Sequence, residues 1–138
     1  MITERYIHEK EGYYPFLIRE GWQVAQLNYE EASSPENIKR LDVHHQTDEA
    51  FLLISGKAIL VSANIEDDHI TYDMEEMKEG ITYNIPVNVW HTIALQEGAK
   101  VLIIEKDNTH LGDFEFYDFS ESQHQLFLNE IGKIWKKI

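Results

Sequence analysis

Cysteine is absent from this chain of 138 residues. Without thiols it can form no disulfide, no thiolate nucleophile and no cysteine-based zinc site, so any metal must be held by histidine and carboxylate side chains. Proline and glycine are also scarce, at three and seven residues, and no stretch has the composition of an interdomain linker. The sequence therefore predicts one domain over residues 1–138.

Positive charge is in short supply as well. Twelve lysines and arginines face 25 aspartates and glutamates, which gives a formal net charge of -13. Such a surface repels phosphate backbones and anionic lipid, so we expect neither a nucleic-acid nor a membrane partner. The longest apolar runs, near residues 50–54 and 101–104, are too short to span a bilayer, and the charged N-terminus lacks the apolar segment of a signal peptide. We expect a cytoplasmic protein.

Short runs with the pattern of β-strands fill the middle of the chain. Apolar and polar residues alternate from 22 to 29, which is the period of a half-buried strand. Further runs cover residues 49–54, 58–65, 69–74, 81–85, 91–95, 101–105 and 114–117. Many short strands without helices between them favour an antiparallel sandwich or barrel, whose core we place at about residues 20–118.

The last segment has the period of a helix. Its bulky apolar residues recur at steps of three and four, at Phe127, Ile131, Ile134, Trp135 and Ile138. Ser120 and Gln123 predict a capping box at the start, and Lys133, Lys136 and Lys137 suit the negative end. The pattern predicts a helix over about residues 121–137 that packs on the barrel or on a second subunit.

Side chains that can hold a metal concentrate in two segments, residues 42–56 (DVHHQTDEAFLLISG) and 80–91 (GITYNIPVNVWH). They place four candidate ligands at the ends of predicted strands: His44, His45, Glu49 and His91. Successive residues of a strand point to opposite faces, so Asp42 shares a face with His44 and not with His45. We therefore expect one of the two adjacent histidines in the site, and the alternation leaves open which one.

The same two segments resemble the motifs of the cupin superfamily, G-x5-H-x-H-x3-4-E-x6-G and G-x5-P-x-G-x2-H-x3-N. Glu49-x6-Gly56 matches the end of the first, and Gly80-x5-Pro86-x-Asn88-x2-His91 matches most of the second. Asparagine stands where the second motif has its middle glycine, and both residues tolerate the left-handed backbone region. The resemblance covers about fifty residues directly.

The departures from the motifs concern the metal ligands. With the four-residue spacing, Asp42 and His44 take the places of the two histidines of the first motif; with the three-residue spacing, Val43 and His45 do. The leading glycine of the first motif is missing, and Leu95 replaces the final asparagine of the second. The turn residues that a barrel needs are retained.

The resemblance implies an all-β fold, the double-stranded β-helix or RmlC-like jelly roll, with a C-terminal α-helix. In the family the inward histidines and glutamate usually hold one divalent ion, often iron, manganese, zinc or nickel. For this chain that implies His44 or His45, Glu49 and His91 as ligands, with Asp42 as a fourth candidate. Small cupins commonly pair, so we also expect a homodimer that packs through residues 13–18 (YYPFLI) and the C-terminal helix.

Three functions remain open, because the cupin fold hosts many reactions. The first is a module that binds a divalent metal or a small organic ligand, which the incomplete histidine pair favours. The second is a metal-dependent oxygenase or isomerase acting on a small organic molecule, with Glu49 or Asp42 as the base. The third is a metal-free epimerase or isomerase of sugar nucleotides, which ranks last because an acidic chain with few basic residues disfavours a dianionic substrate.

Overall fold

In the computed structural model, which describes residues 2–136, ten strands form two five-stranded antiparallel sheets. The strands are β1 (Gly12–Arg19), β2 (Trp22–Asn28), β3 (Arg40–Val43), β4 (Glu49–Ser55), β5 (Ala58–Glu66), β6 (His69–Glu76), β7 (Thr82–Ile85), β8 (Trp90–Leu95), β9 (Lys100–Glu105) and β10 (Glu115–Asp118). Their order is β1-β2-β9-β4-β7 in the first sheet and β10-β3-β8-β5-β6 in the second. This is the predicted double-stranded β-helix, or jelly roll.

Two helices accompany the sheets, α1 (Thr109–Gly112) and α2 (Glu121–Ile134). The predicted capping box is present at the start of α2: the backbone N–H of Gln123 donates to Ser120 Oγ, and the backbone N–H of Ser120 donates to Gln123 Oε1. The helix ends at Ile134, before the predicted residue 137, because Trp135 leaves the helical conformation and its indole N–H donates to Glu76 Oε2 at 2.7 Å. Lys137 and Ile138 lie outside the described residues.

Two apolar clusters hold these layers together. The first fills the space between the sheets and includes Phe51, Leu60 and Val101. The second lies between the outer face of the second sheet and α2, where Phe127 and Ile131 are buried against β5 and β8 residues. The helix therefore packs on the barrel of its own chain. Within residues 2–136, neither helix has the length and hydropathy needed to cross a membrane.

Gly56 makes the turn after β4 at a point where two backbones nearly touch. Its φ is +81°, and a Cβ at this position would lie 2.6 Å from the Cα of Ala99. Gly80 has a similar φ of +84°, yet a Cβ there would meet nothing within 4 Å. The pair separates the strain of a left-handed backbone from the cost of a steric clash.

Replacing Gly56 by alanine is expected to lower the free energy of unfolding by about 3 kcal/mol, because roughly 1–2 kcal/mol of backbone strain adds to the clash. The matched change Gly80→Ala should cost only the strain, about 1 kcal/mol. Urea unfolding of the two variants measures the difference. Equal losses would show that the close approach of Gly56 to Ala99 does not matter for stability.

Candidate metal centre

Polar side chains gather at one end of the cavity between the sheets. In the first sheet, Glu49 opens β4 and Glu105 closes β9, and the register of this strand pair sets the two glutamates side by side. In the second sheet, Asp42 of β3 lies directly opposite His91 of β8. His44 follows β3 and completes the group.

The two histidines meet at one carboxylate oxygen. His44 Nε2 lies 3.2 Å and His91 Nε2 lies 2.8 Å from Glu49 Oε1. His91 Nε2 is also 3.2 Å from Asp42 Oδ1. The side chains of His44, Glu49 and His91 are buried, whereas about a third of Asp42 is exposed. These four residues form the candidate metal site, which we call the metal centre.

Backbone carbonyls fix the orientation of both imidazoles. His44 Nδ1 lies 2.6 Å from the carbonyl oxygen of Asp113, and His91 Nδ1 lies 2.9 Å from that of Val89. A carbonyl oxygen can only accept, so each Nδ1 must carry the proton and donate it. In the neutral rings the lone pair is then on Nε2, on the side of Glu49. Histidines that bind metals in proteins are held in this way.

The pKa values of the ionisable groups in the cluster depart from their usual ranges. Burial opposes ionisation of Glu49, but the hydrogen bonds from His44 and His91 outweigh it and hold the pKa of Glu49 well below its usual range. Burial also opposes the charged form of His44, but the bond to Glu49 and its negative charge raise the pKa of His44 to about 9. The pKa of His91 is raised against the same opposition. Without a metal, the imidazoles therefore keep protons that a metal would have to displace.

Glu105 adjoins this cluster as a neutral group. Burial, and then the hydrogen bond and charge of Glu49, raise the pKa of the Glu105 carboxyl well above its ordinary value. Its Oε2 is buried and receives no hydrogen bond from any described residue, so an anion here would be unsatisfied. The carboxyl of Glu105 therefore favours its neutral, protonated form next to Glu49.

The residues present fit a divalent ion. One ligand atom from each of Asp42, His44 and His91 lies within 4.8 Å of the other two, and the same holds for His44, Glu49 and Glu105. The separations of 2.8–3.2 Å between donor atoms in the metal centre are those of neighbouring ligands around one ion with bonds of about 2.1 Å. Two imidazoles with carboxylates suit a mid-row divalent ion that keeps positions open.

Three of the four predicted ligands come together, namely His44, Glu49 and His91, and Asp42 joins them. His45 does not: its side chain is half exposed and points away from the cavity, with Nε2 at 2.8 Å from Glu115 Oε2 and Nδ1 at 2.7 Å from Asn88 Oδ1. The arrangement is that of the four-residue spacing, in which Asp42 stands in the place of the first histidine. Asn88 has the left-handed backbone that the motif predicts, with φ of 67°.

Glu105 was missed by sequence reasoning, which treated it only as the end of a strand. A signal was available, because Val101, Ile103 and Glu105 alternate onto one face of β9 and the first two are core residues. An acidic residue at an inward position of an apolar strand is costly unless it has a partner.

The metal centre opens into a cavity of about 460 Å³. Phe51, Phe114 and Phe116 contribute aromatic walls, and Tyr13 and His110 add polar groups. Of the described residues that line it, Arg40 is the only lysine or arginine; its guanidinium stacks 4.5 Å from the ring centroid of Phe116. The cavity suits a small, partly apolar molecule with polar groups at one end.

The two facing sheets form a jelly roll, and the chain has the fold of the cupins. No family model matches it. The chain is similar to the acireductone dioxygenase of Exiguobacterium sibiricum, with 32% identity over 92 residues. That alignment covers 62% of this chain and 49% of the relative, so the chain spans about half the length of the curated relative that it matches.

Solved structures agree on the fold. Protein BH2720 from Bacillus halodurans superimposes with a TM-score of 0.58 at 14% identity, over 80% of each chain. The capsular polysaccharide assembling protein CapF from Staphylococcus aureus gives a TM-score of 0.53 at 20% identity, over 83% of this chain and 32% of CapF. A further CapF structure holds the inhibitor 3-isopropenyl-tropolone.

Proposed function

We propose that the chain binds one divalent metal ion through His44, Glu49 and His91, with Asp42 as the fourth ligand, and that it is a metal-dependent oxygenase of a small organic molecule. The observation that carries this proposal is the convergence of two Nε2 atoms on one carboxylate oxygen, with both Nδ1 atoms tied to backbone carbonyls. When bound, such an ion supplies Lewis-acid or redox chemistry at the polar end of the cavity.

The choice of an oxygenase over a binding module draws on the acireductone dioxygenase, whose name states its reaction. The surrounding residues support turnover. The phenylalanine walls take up the carbon skeleton of a substrate and exclude water. Glu105 keeps a proton beside Glu49 and lines the same cavity, so it is placed to exchange a proton with the substrate. An isomerase would use the same groups; consumption of dioxygen distinguishes the two.

The third function, a metal-free epimerase of sugar nucleotides, receives little support from the cavity. A nucleoside diphosphate needs several cationic or backbone donors to balance its charge. Among the described lining residues only Arg40 is basic, while Asp42, Glu49 and Glu105 are acidic. The small-molecule partner that we propose therefore carries no diphosphate group.

Metal content tests the metal centre. We expect about one equivalent of metal in the wild-type protein when it is purified without chelators or a histidine tag. The metal content of His91→Ala should be at most about one tenth of the wild-type value, because this change removes one of the two imidazoles. His45→Ala is the matched control and should keep the wild-type content, since His45 points away from the cluster. Elemental analysis by mass spectrometry measures all three, and equal metal in wild type and His91→Ala would overturn the proposal.

The predicted homodimer and the cytoplasmic location remain proposals. Support for pairing comes from exposed apolar side chains on the first sheet, such as Trp22 and Ile104, each 45% exposed. Strand β1, which contains the residues predicted to pack in the dimer, pairs with β2 of its own chain.

A further inference from the structure

Gln23 is a fully buried polar residue outside the metal centre. It lies on β2 directly beside Glu105 of β9, and its relative exposure is 0%. Both polar atoms of its side chain have hydrogen-bond partners. The backbone N–H of Asn108 donates to Gln23 Oε1 at 2.8 Å, and Gln23 Nε2 lies 3.2 Å from both Tyr13 Oη and His110 Nδ1.

These contacts determine where the protons are. A backbone N–H can only donate, so the atom facing Asn108 is the amide oxygen, and the amide nitrogen faces Tyr13 and His110. That nitrogen is a donor to both, so His110 Nδ1 must accept. The neutral imidazole of His110 then carries its proton on Nε2. Tyr13 Oη likewise accepts from Gln23, which leaves its own O–H free to donate.

Both residues that carry these free donors line the cavity. Tyr13 and His110 line it together with the metal centre. Across residues 2–136, neither His110 Nε2 nor the O–H of Tyr13 has a hydrogen-bond acceptor. Gln23 and Glu49 lie on strands with only β9 between them, and adjacent strands are roughly 4.8 Å apart, so the backbones of these two residues are about 10 Å apart.

We propose that Tyr13 and His110, oriented by Gln23, bind the substrate by donating hydrogen bonds to a second oxygen-bearing group, while a first oxygen group lies at the metal centre. This rests on the function proposed above and adds the substrate class: a short molecule with oxygen functions at both ends. Neutral donors beside acidic residues suit a carbonyl or a single carboxylate better than a phosphate.

A purely structural role predicts a different result, because Gln23 would then only anchor the segment before α1 through Asn108. The two readings separate with a pair of probes of equal chain length. Glutarate carries a carboxylate at each end, and pentanoate carries only one. The metal centre contacts both probes alike, so the ratio of their affinities reports on the second group alone.

We expect the zinc-loaded wild-type protein to bind glutarate at least about tenfold more tightly than pentanoate, as measured by titration calorimetry. Tyr13→Phe and His110→Asn should reduce this ratio to about two while pentanoate affinity stays unchanged. Asparagine keeps an acceptor for Gln23 and removes the Nε2 donor. Tyr14→Phe is the control, since Tyr14 is 52% exposed, and it should keep the wild-type ratio.

A second readout keeps the outcomes apart. The ¹⁵N spectrum of His110 should show the Nε2–H tautomer at high pH, and glutarate should shift the Nε2 signal with or without metal. If the protein takes up no metal, the proposed function fails, and the glutarate shift still decides the present inference. Three results would each overturn the inference: equal affinities of the wild-type protein for glutarate and pentanoate, the wild-type affinity ratio in both variants, or an Nδ1–H tautomer of His110.

Discussion

Replacing Glu49 by glutamine is expected to lower the free energy of unfolding of the metal-free protein by about 3 kcal/mol, a factor of roughly 100 in the folding equilibrium. Glu49 is the buried anion on which His44 and His91 both converge, and it raises the pKa of both imidazoles and so favours their protonated forms. A neutral amide cannot balance those charges. At pH 7 the buried histidines would have to lose their protons or remain unpaired, and either outcome removes stability. Urea unfolding in the presence of a chelator measures the loss.

The surface of the same protein offers a control with the same geometry. Glu115 Oε2 lies 2.8 Å from His45 Nε2, the distance that separates Glu49 Oε1 from His91 Nε2. The difference is burial, since the side chains of Glu115 and His45 are 62% and 50% exposed. Glu115→Gln should therefore cost less than about 1 kcal/mol. Similar losses in the two variants would show that burial of the cluster does not govern its contribution.

The affinity for a divalent metal is expected to rise by about tenfold per pH unit from pH 7 to pH 9, approaching a hundredfold in total. The pKa of His44 is about 9 without metal, so its imidazole must release a proton before Nε2 can coordinate. Calorimetry in two buffers of different ionisation enthalpy counts the released protons. At least one should appear at pH 7, and His45→Ala should show the same slope. An affinity that does not change across this range would contradict the assignment of His44 as a ligand.

Stability should change in opposite directions in the two forms of the protein. The pKa of His44 is raised in the folded state from its ordinary value of 6.5, so its contribution to stability is complete below pH 6.5 and is lost as the pH rises through about 9. The metal-free protein should therefore melt at a lower temperature at pH 9 than at pH 7. The metal-bound form gains affinity over the same interval, so excess metal should reverse the trend.

The fold could be predicted because its signals are local. Alternation of apolar and polar residues identified most of the strands, and Gly56 and Asn88 adopt the left-handed backbone that the turn positions require. The capping box of α2 depends on residues only three positions apart. Such patterns can be recognised without knowing how distant parts of the chain pair.

The spatial grouping of the candidate site residues could be predicted only in part, because it depends on strand pairing. The choice between His44 and His45 is made where Asp42 pairs with His91, and no local pattern specifies that register. Glu105 lies between Gln23 and Glu49 because β9 inserts between β2 and β4. The order of the strands along the chain does not reveal this arrangement. His110 lies on a four-residue helix, which is too short to have a periodic signature.

The carbonyl oxygens that orient the imidazoles of His44 and His91 are supplied by Asp113 and Val89. Every amino acid carries this group, so a substitution at position 113 or 89 that preserves the path of the chain also preserves the tautomer of the histidine facing it. The orientation of the two imidazoles therefore depends on backbone carbonyl groups, and substitutions of the side chains at positions 113 and 89 need not change it. Many different residues could therefore stand at positions 113 and 89 while the Nε2 atoms of His44 and His91 continued to face Glu49.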